Sequence, residues 1–453
     1  MECARPFAVG AAVALLWQPL RAQGVAAPPP QPLALATPVS TPAPALKVAP
    51  GSEAVPIDLG VDLFYTARAE APLWLKDDAS RAAAGKLSAI LHNATVDGLS
   101  QGPELAARVE AAIASGQQGD DKNISAAWVQ YVRALKRPAT GVSFGDPALK
   151  PVAPTAQAVL SEAAQAPSLL AYVEQLAAVN PLYSAVRDAA VKQGLTDDWH
   201  VRATLERLRL IPAKGRAVLV DAATQELWML EDGRAVDSMK VIVGKTTSPT
   251  PLLAGTIHYV TFNPYWHILD EVAQRKVAPI VIKRGVSYLK AARYETVSDW
   301  GANSELVDPA SIDWKAVAAG TATVHIRQLP GANNMMGAVK FWFENDFDIF
   351  LHDTPHKELF AKPKRNFSLG CVRLEHAGQL AQWLLGRDEA PPGDVPEEHV
   401  KLDKGVPVFI TYLTANVADG QLAFADDVYG LDPAPASAAS LGLAQPVSTT
   451  IAH

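Results

Sequence analysis

Cysteine is scarce in this chain, which has only two, Cys3 and Cys371, among 453 residues. The first lies in an N-terminal segment that we expect to be removed, so the mature protein would retain Cys371 alone. A single cysteine excludes an internal disulfide. In an oxidising compartment, such a residue either pairs with another molecule or acts as a reactive thiol.

The chain also lacks an excess of positive charge and a second long apolar segment. Its formal net charge is −7, which argues against the clustered basic surface typical of nucleic-acid-binding proteins. After the N-terminus, no segment is long and apolar enough to span a bilayer. A composition of 49% hydrophobic and 19% charged residues is typical of a folded globular protein with a sizeable core.

Residues 1–23 resemble a secretory signal peptide. The stretch MECARPFAVGAAVALLWQPLRAQG has one early positive charge at Arg5, an apolar run from Phe7 to Trp17 and small residues near Ala22. That run is shorter than the ~20 residues of a spanning helix. We therefore expect export, with a short membrane anchor or a wrongly assigned start codon as the alternatives.

Three regions of different composition follow the signal. Residues 24–55 are rich in Pro and Ala and predict an extended spacer, while the Ala/Ser/Pro-rich residues 433–453 predict a disordered tail. In residues 56–210, apolar residues recur at helical spacing, as at Leu169 and Val173, between Gly, Pro and Asn/Asp clusters. This pattern predicts a helical domain of six to eight helices.

The periodicity changes to that of β-strands at Arg216. The segment RAVLVDAATQELWMLEDGRAVDSMKVIVG contains two apolar runs joined by Asp232-Gly233, a strong hairpin signal. Further strand patterns continue to a second hairpin in TANVADGQLAF. We expect a β-rich domain over residues 211–432, interrupted by a less regular insertion at residues 268–335 that covers part of it.

One segment, IFLHDTPHKELFAKPKRNFSLGCVRLEHA, places a histidine at a strand end and Cys371 19 positions later. Cysteine attacks carbonyl groups as the thiolate, and a neighbouring imidazole is the usual means of producing it at neutral pH. The intervening loop is long enough to bring Cys371 onto a strand beside His352. We therefore predict Cys371 as a nucleophile and His352 as its general base.

The residues just before the thiol, Ser368, Leu369 and Gly370, predict a tight turn with converging N–H groups. Glycine permits a close approach of the backbone to a substrate carbonyl, so the amides of Gly370 and Cys371 would form an oxyanion hole. The alternatives are an inert buried thiol and a histidine that is hydrogen-bonded locally.

A metal site is not expected, although His352, Asp353 and His356 have an H-D-x-x-H pattern. Pro355 prevents the helix that would bring both histidines to one face, so the spacing does not indicate a metal site. No cofactor is expected either.

Outside this segment, an ordered series of motifs runs along the chain: LERLRLIP, VLVDAATQELWMLEDGRAVDSMKVIVGK, PTP, FNPYW, IRQLPGANNMMGAVKFWF and DDVYG. Together with LHDTP and SLGCVR, they resemble the YkuD-type catalytic domain of the L,D-transpeptidases, and the large periplasmic subgroup in particular. The resemblance covers residues 56–432. It implies an α+β fold, in which a helical scaffold domain precedes a β-rich catalytic domain with mixed, sandwich-like sheets and a capping insertion.

Carried over residue by residue, the resemblance implies Cys371 as the nucleophile and His352 as the general base. It implies Gly370 with Cys371 as the oxyanion donors, and Ser368 and Arg373 match supporting positions of the motif. No metal belongs to this residue set.

The chain departs from the family pattern at two places. Leu369 stands where many members have a histidine, although the large subgroup commonly lacks it. The family's large subgroup often has a small helical peptidoglycan-binding module before the catalytic domain, and we expect it to be missing here. Binding to the wall would then depend on the cleft, the helical scaffold or a partner.

The resemblance implies acyl transfer on peptidoglycan stem peptides in the periplasm. Cys371 would attack the carbonyl of the third residue of a tetrapeptide stem, release D-Ala and pass the acyl group to an amine of another stem, giving a 3→3 cross-link. The competing hypotheses are a hydrolase of stem peptides that uses the same residues and a non-catalytic wall-binding scaffold. Other cell-wall synthesis proteins are candidate partners.

The basic loop between His352 and Cys371 is a further candidate for substrate binding. Lys364 and Arg365 would meet carboxylates of the stem peptides. The alternative is a solvated basic loop without such a role.

Overall fold

A computed structural model describes residues 57–117, 119–301, 303–387 and 395–432 of the protein. The predicted signal peptide (1–23), spacer (24–55) and tail (433–453) lie outside the described residues. The elements discussed below belong to one unit spanning residues 49–300 and 304–453. The protein has both helices and strands, which confirms the predicted α+β class.

The first eight helices of the described chain precede the main run of strands, and five more follow. The helices are α1 (Ile57–Ala67), α2 (Asp78–Leu91), α3 (Gly102–Ser115), α4 (Asp120–Leu135), α5 (Ala156–Gln165), α6 (Leu169–Ala178), α7 (Pro181–Gln193), α8 (Trp199–Leu208), α9 (Asp270–Val272), α10 (Ala278–Arg284), α11 (Ser287–Ala291), α12 (Trp314–Ala318) and α13 (Ala377–Leu385). None of the helices in the described ranges combines the length and apolar character that crossing a bilayer requires.

Side-chain caps fix where several of these helices begin and end. The Asp77 carboxylate accepts a hydrogen bond from the amide of Ser80, and the Ser80 hydroxyl accepts one from the amide of Asp77, which forms a capping box for α2. Asp198 caps α8 through two amides. Gly116 ends α3 in the left-handed conformation, with φ of 63°.

The strands are short at the candidate site and longer elsewhere. They are β1 (Ser143–Phe144), β2 (Arg216–Asp221), β3 (Glu226–Glu231), β4 (Arg234–Gly244), β5 (Leu253–Phe262), β6 (Trp266–His267), β7 (Tyr294–Val297), β8 (His325–Gln328), β9 (Val339–Phe343), β10 (Leu351–His352), β11 (Asn366–Ser368), β12 (Val372–Leu374), β13 (Glu398–Thr411), β14 (Ala415–Ala418) and β15 (Gln421–Phe424).

Most strands form one main sheet whose path closes on itself. The neighbours in order are β1, β5, β13, β2, β3, β4, β12, β10 and β9, and β9 also pairs with β5. β11 pairs with β4 beside this path. The predicted sandwich-like sheets therefore take the form of a closed mixed sheet, in which β10 lies between β12 and β9.

Both predicted hairpins are confirmed. β3 and β4 pair antiparallel across Asp232-Gly233, and β14 and β15 pair antiparallel across Asp419-Gly420. All four turn residues have φ between 49° and 75°. Such positive φ values at both central positions are the requirement of the type I′ turn, which Asp-Gly satisfies with little strain.

Strand β2 is apolar from Ala217 to Val220, where both of its faces are buried. Ala217 and Leu219 belong to the core shared with helices α1 to α8, whereas Val218 and Val220 belong to the core enclosed by the sheet. Alternate side chains of a strand point to opposite faces. One strand thus joins the helical region to the inside of the sheet.

The predicted insertion forms a small cap with its own core. Strands β6, β8 and β7 make an antiparallel three-stranded sheet, and helices α9 to α12 pack with it. Its buried cluster includes Ile268, Val277, Leu289, Trp314 and Ile326. A separate hydrophobic cluster lets the cap hold its shape beside the main sheet.

A buried ion pair joins helix α8 to the end of the described chain. Arg207 on α8 contacts the carboxylate of Asp432 at 2.5 Å and donates to the backbone oxygens of Tyr412 and Leu431. The Thr414 hydroxyl donates to the other carboxylate oxygen of Asp432. Both charged side chains are almost inaccessible to solvent, so each needs the opposite charge of the other to offset the cost of its burial.

We expect Arg207→Met to lower the free energy of unfolding by about 3–5 kcal/mol, because it leaves the Asp432 carboxylate buried without its partner. Chemical denaturation of the full chain measures this change. Arg275→Met is the matched control, because Arg275 pairs with Glu271 on the surface with both side chains largely exposed. Equal effects of the two substitutions would contradict the account.

Candidate active site

The site is assembled by the pairing of two short strands. β10 and β12 run parallel, with Leu351 opposite Val372 and His352 opposite Arg373. Because alternate residues of a strand share a face, Cys371 lies on the same side as Arg373, one step diagonally from His352. The loop after His352 therefore returns the chain to a neighbouring strand, as the sequence predicts.

His352 is buried, with 5% of its surface exposed, and its orientation is fixed by its neighbour. Its Nδ1 lies 2.5 Å from the carbonyl oxygen of Asp353. A carbonyl oxygen only accepts, so Nδ1 carries the hydrogen and Nε2 keeps its lone pair. This tautomer is the one that a general base needs.

The Cys371 thiol is half-buried and donates to the carbonyl oxygen of Asp348, with an Sγ–O distance of 3.7 Å. The backbone N–H of Phe350 also approaches the sulfur. The thiol is therefore held by backbone groups of the segment that leads into β10. It would have to turn from Asp348 to pass its proton to His352.

Cys371 and His352 open into one cavity of about 230 Å³. Its walls comprise Trp266, Leu269, Val272, Met335, Met336, Phe347, Asp348, Ile349, His352, Ser368, Leu369, Cys371 and Arg373. The first five come from the beginning and end of the cap region and are apolar. The cap thus covers the reactive groups with an apolar wall, which favours exclusion of water.

The structure differs from the prediction at the Gly370 amide. This N–H donates to Ser368 Oγ at 3.1 Å, and Ser368 is buried. The amide predicted as a second oxyanion donor is therefore already engaged by a side chain. Ser368 supports the turn before the thiol, and the Cys371 amide remains as the candidate donor.

Arg373 brings a positive charge into the cavity without a carboxylate beside it. In the described part of the chain, no acidic side chain forms an ion pair with it, and its buried Nε has no hydrogen-bond partner. Its charge lowers the pKa of both His352 and Cys371. Arg373 thus favours a neutral imidazole and a charged sulfur at the same time.

Arg365 does not line the cavity. It is 8% exposed, and its guanidinium donates to the backbone oxygens of Val241 and Gln225 at 3.1 and 2.9 Å and of Lys362 at 3.2 Å. Its donors thus hold the loop against β4, which does not support the predicted contact with substrate carboxylates. Lys364 is exposed and lies 3.8 Å from the carboxylate of Asp426, also outside the cavity walls.

The H-D-x-x-H residues serve separate purposes. The Asp353 carboxylate accepts from the Ala338 amide at 2.8 Å and from Lys357 Nζ at 2.7 Å, while His356 is exposed beside Glu358. Within the described ranges, no cluster of three or more His, Cys, Asp or Glu side chains could hold a metal ion.

Sequence reasoning overlooked Thr250, whose hydroxyl contacts the backbone next to the thiol. It donates to the carbonyl oxygen of Gly370 at 2.7 Å. The available signal was the Pro-Thr-Pro motif, in which prolines restrict the backbone on both sides of a hydroxyl. The cavity positions of Met335, Met336 and Phe347 had no comparable signal, because apolar residues in loops and strands usually belong to a core.

Burial sets the protonation state of the two reactive groups. It lowers the pKa of His352 to about 4, with the charge of Arg373 acting in the same direction. Burial also raises the pKa of the Cys371 thiol, against the opposing effects of the Phe350 amide and Arg373. At neutral pH the resting pair is a neutral thiol and a neutral imidazole, not a thiolate with an imidazolium.

We expect the rate of Cys371 alkylation by iodoacetamide to rise with pH through a midpoint above ~8.5, the ordinary thiol value. Peptide mapping by mass spectrometry follows Cys371 itself. Arg373→Met should move the midpoint upwards because the stabilising charge is lost, whereas His352→Gln should leave it nearly unchanged. A plateau of high reactivity between pH 5 and 7 would indicate an ion pair and contradict this assignment.

Comparison with known proteins identifies two regions of the chain. Residues 215–410 match the family model described as the L,D-transpeptidase catalytic domain, YkuD, and residues 60–189 match a model described as the Scaffold domain. A Haemophilus influenzae protein named "Putative L,D-transpeptidase" is 29% identical over 280 residues, which cover 58% of this chain and 55% of that protein. The chain thus spans about half the length of this curated relative.

Solved structures similar to this chain have low identity to it. An L,D-transpeptidase from Mycobacterium smegmatis is 13% identical, with 43% of this chain and 58% of that chain covered and a TM-score of 0.23. A cysteine-to-serine mutant of Enterococcus faecium L,D-transpeptidase is also 13% identical, with 45% and 51% covered and a TM-score of 0.22.

The two family models agree with the order of motifs along the chain and confirm the resemblance predicted from them. The chain therefore carries a catalytic domain of the YkuD L,D-transpeptidase family, which follows an N-terminal Scaffold domain.

Proposed function

We propose that this protein is a peptidoglycan L,D-transpeptidase whose nucleophile is Cys371 and whose general base is His352. The observation that carries the proposal is their position: both side chains open into one capped cavity from residues at adjacent, paired strands. The family membership supports acyl transfer as the reaction class. Stem peptides are the substrate that this class implies.

The first half-reaction forms a thioester. The thiol turns from Asp348 towards His352, and Nε2 takes its proton as the sulfur attacks the carbonyl carbon of the third stem residue. The Cys371 amide donates to the resulting oxyanion, and the charge of Arg373 stabilises the negative charge nearby. The C–N bond then breaks, and the imidazolium gives its proton to the departing D-Ala amine.

The depressed pKa of His352 keeps the imidazole unprotonated at rest and favours the second of the two proton transfers, at the expense of its strength as a base in the first. An imidazolium whose pKa is about 4 is a strong acid for its type, so it returns the proton readily to the leaving amine. A histidine that remained protonated would be unable to accept the thiol proton of the next cycle. The pair is therefore uncharged at rest, and the imidazolium is present only between the two proton transfers.

The second half-reaction transfers the acyl group. An amine of another stem attacks the thioester, Nε2 accepts the amine proton, and the C–S bond breaks to regenerate the thiol. Water would give hydrolysis by the same route. The apolar wall contributed by Trp266, Leu269 and the two methionines favours the amine, because it limits access of water to the thioester.

Export to the periplasm and contacts with other cell-wall synthesis proteins remain part of the proposal. The signal-like residues 1–23 and the substrate class support a periplasmic location. Lys364 and Arg365 have no substrate role in this scheme, since both lie outside the cavity walls.

We expect the full chain to release D-Ala from a tetrapeptide muropeptide and to form a dimer cross-linked 3→3, detected by mass spectrometry. Cys371→Ala should abolish both products because it removes the nucleophile. His352→Gln should lower the rate by ~10²–10⁴-fold because proton transfer loses its base. Lys364→Ala is the matched control within the same loop, and we expect its activity to equal that of the wild type.

The same assay in H₂¹⁸O separates the competing functions. Incorporation of ¹⁸O into a tripeptide product, without cross-linked dimer, would support the hydrolase. Binding of muropeptides without D-Ala release, or release that survives in Cys371→Ala, would refute the proposed mechanism.

A further inference from the structure

The side chain of Thr250 connects two backbone segments, the end of β4 and the turn that leads to Cys371. It has no exposed surface, and its hydroxyl accepts a hydrogen bond from the Gly244 amide at 2.8 Å. The same hydroxyl donates to the carbonyl oxygen of Gly370 at 2.7 Å. Its hydrogen is therefore committed to Gly370, the residue directly before Cys371.

This contact determines the direction of the Cys371 amide. The Gly370 carbonyl and the Cys371 N–H belong to one planar trans peptide, so they point in opposite directions. A hydroxyl that holds the carbonyl oxygen therefore also fixes the direction of the N–H, which lies on the opposite side of the C–N bond in the same plane. Ser368 Oγ engages the Gly370 amide at 3.1 Å, so two hydroxyls fix the turn from both ends.

The peptide needs such a restraint because glycine precedes it. Gly370 has φ of 129°, a conformation that residues with a Cβ rarely adopt, and an added Cβ would lie 3.0 Å from Ile349 Cδ1. Glycine permits the turn but does not restrict rotation of the following peptide. The hydrogen bond from Thr250 supplies the restriction.

Thr250 is itself held in place by a second layer of contacts. The end of β4 approaches its segment so closely that a Cβ on Gly244 would lie 2.2 Å from the Ser248 carbonyl oxygen. The Tyr429 hydroxyl donates to the carbonyl oxygen of Gly244. Tyr429 stacks on Tyr412 with ring centroids 5.3 Å apart. The position of the Thr250 hydroxyl is thus set by buried groups on three segments.

We infer that Thr250 is a positioning residue for acyl transfer: it orients the Gly370–Cys371 peptide so that the Cys371 amide faces the developing oxyanion. The inference rests on the proposed role of Cys371 as an acyl carrier. Thr250 does not touch the substrate in this account. It acts through the carbonyl oxygen that it holds, so its removal changes the transition state more than substrate binding.

The test compares Thr250→Val, which keeps the shape but loses the hydrogen bonds, with Thr250→Ser, which keeps the hydroxyl. One readout is acylation of Cys371 by p-nitrophenyl acetate, followed as the p-nitrophenolate released in excess of Cys371→Ala. The other is alkylation of Cys371 by iodoacetamide, which displaces iodide and forms no oxyanion at a carbonyl. Both use the full chain, after thermal unfolding shows that each variant is folded.

We expect Thr250→Val to lower the acylation rate at least ~10-fold, because one oxyanion donor is misdirected. Alkylation should stay within about twofold of the wild type, and Thr250→Ser should restore most of the acylation rate. With a tetrapeptide muropeptide, the loss should appear in kcat and leave KM nearly unchanged.

Wild-type acylation in a folded Thr250→Val variant would overturn the inference. Equal losses of acylation and alkylation would also overturn it, because they would show a general disturbance of the thiol. A wild-type chain that shows no acylation dependent on Cys371 would overturn it as well. Acylation of the wild type by the ester without D-Ala release from muropeptides would instead refute the proposed substrate. The comparison of the Thr250 variants would still decide the role of Thr250 in that case.

Discussion

The parallel pairing of β10 with β12 is the constraint on which the site depends. Both strands are short, and the register that sets His352 opposite Arg373 also puts Cys371 on the same face. A shift of one residue would turn that set of side chains to the opposite face of the sheet. The flanking pairings with β9 and β4 make such a shift costly, because they hold each strand from its other side.

Burial of the site determines the protonation states of its reactive groups. The cap and the sheet core withdraw His352 and Cys371 from water, and each then favours its neutral form. The positive charge of Arg373 lowers the pKa of both groups and so assists both a neutral base and an anionic sulfur. The apolar wall and the Cys371 amide complete a cavity in which His352 and Cys371 become charged only during the reaction, which is the condition under which preorganised dipoles are most effective.

Local sequence patterns predicted the hairpins, the helical region and the pairing of a histidine with Cys371, because each depends on residues near one another in the chain or on a strand-end signal. They failed where a long-range contact decides the outcome. Arg365 looked like a free cation in a loop, but it bonds backbone oxygens of Gln225 and Val241, more than 120 positions away. The engagement of the Gly370 amide and the role of Thr250 likewise depend on side chains whose directions the sequence leaves open.

The central claim is that a neutral His352 accepts the thiol proton in a buried cavity. The pH dependence of kcat/KM for D-Ala release tests it most directly, since this quantity reports the ionisation of the free enzyme. The base must be unprotonated, so activity should persist as the pH falls below 6 and decline with a midpoint near 4, where burial places the pKa of His352. An acid limb with a midpoint of ~6.5, the value of an ordinary exposed histidine, would contradict the account.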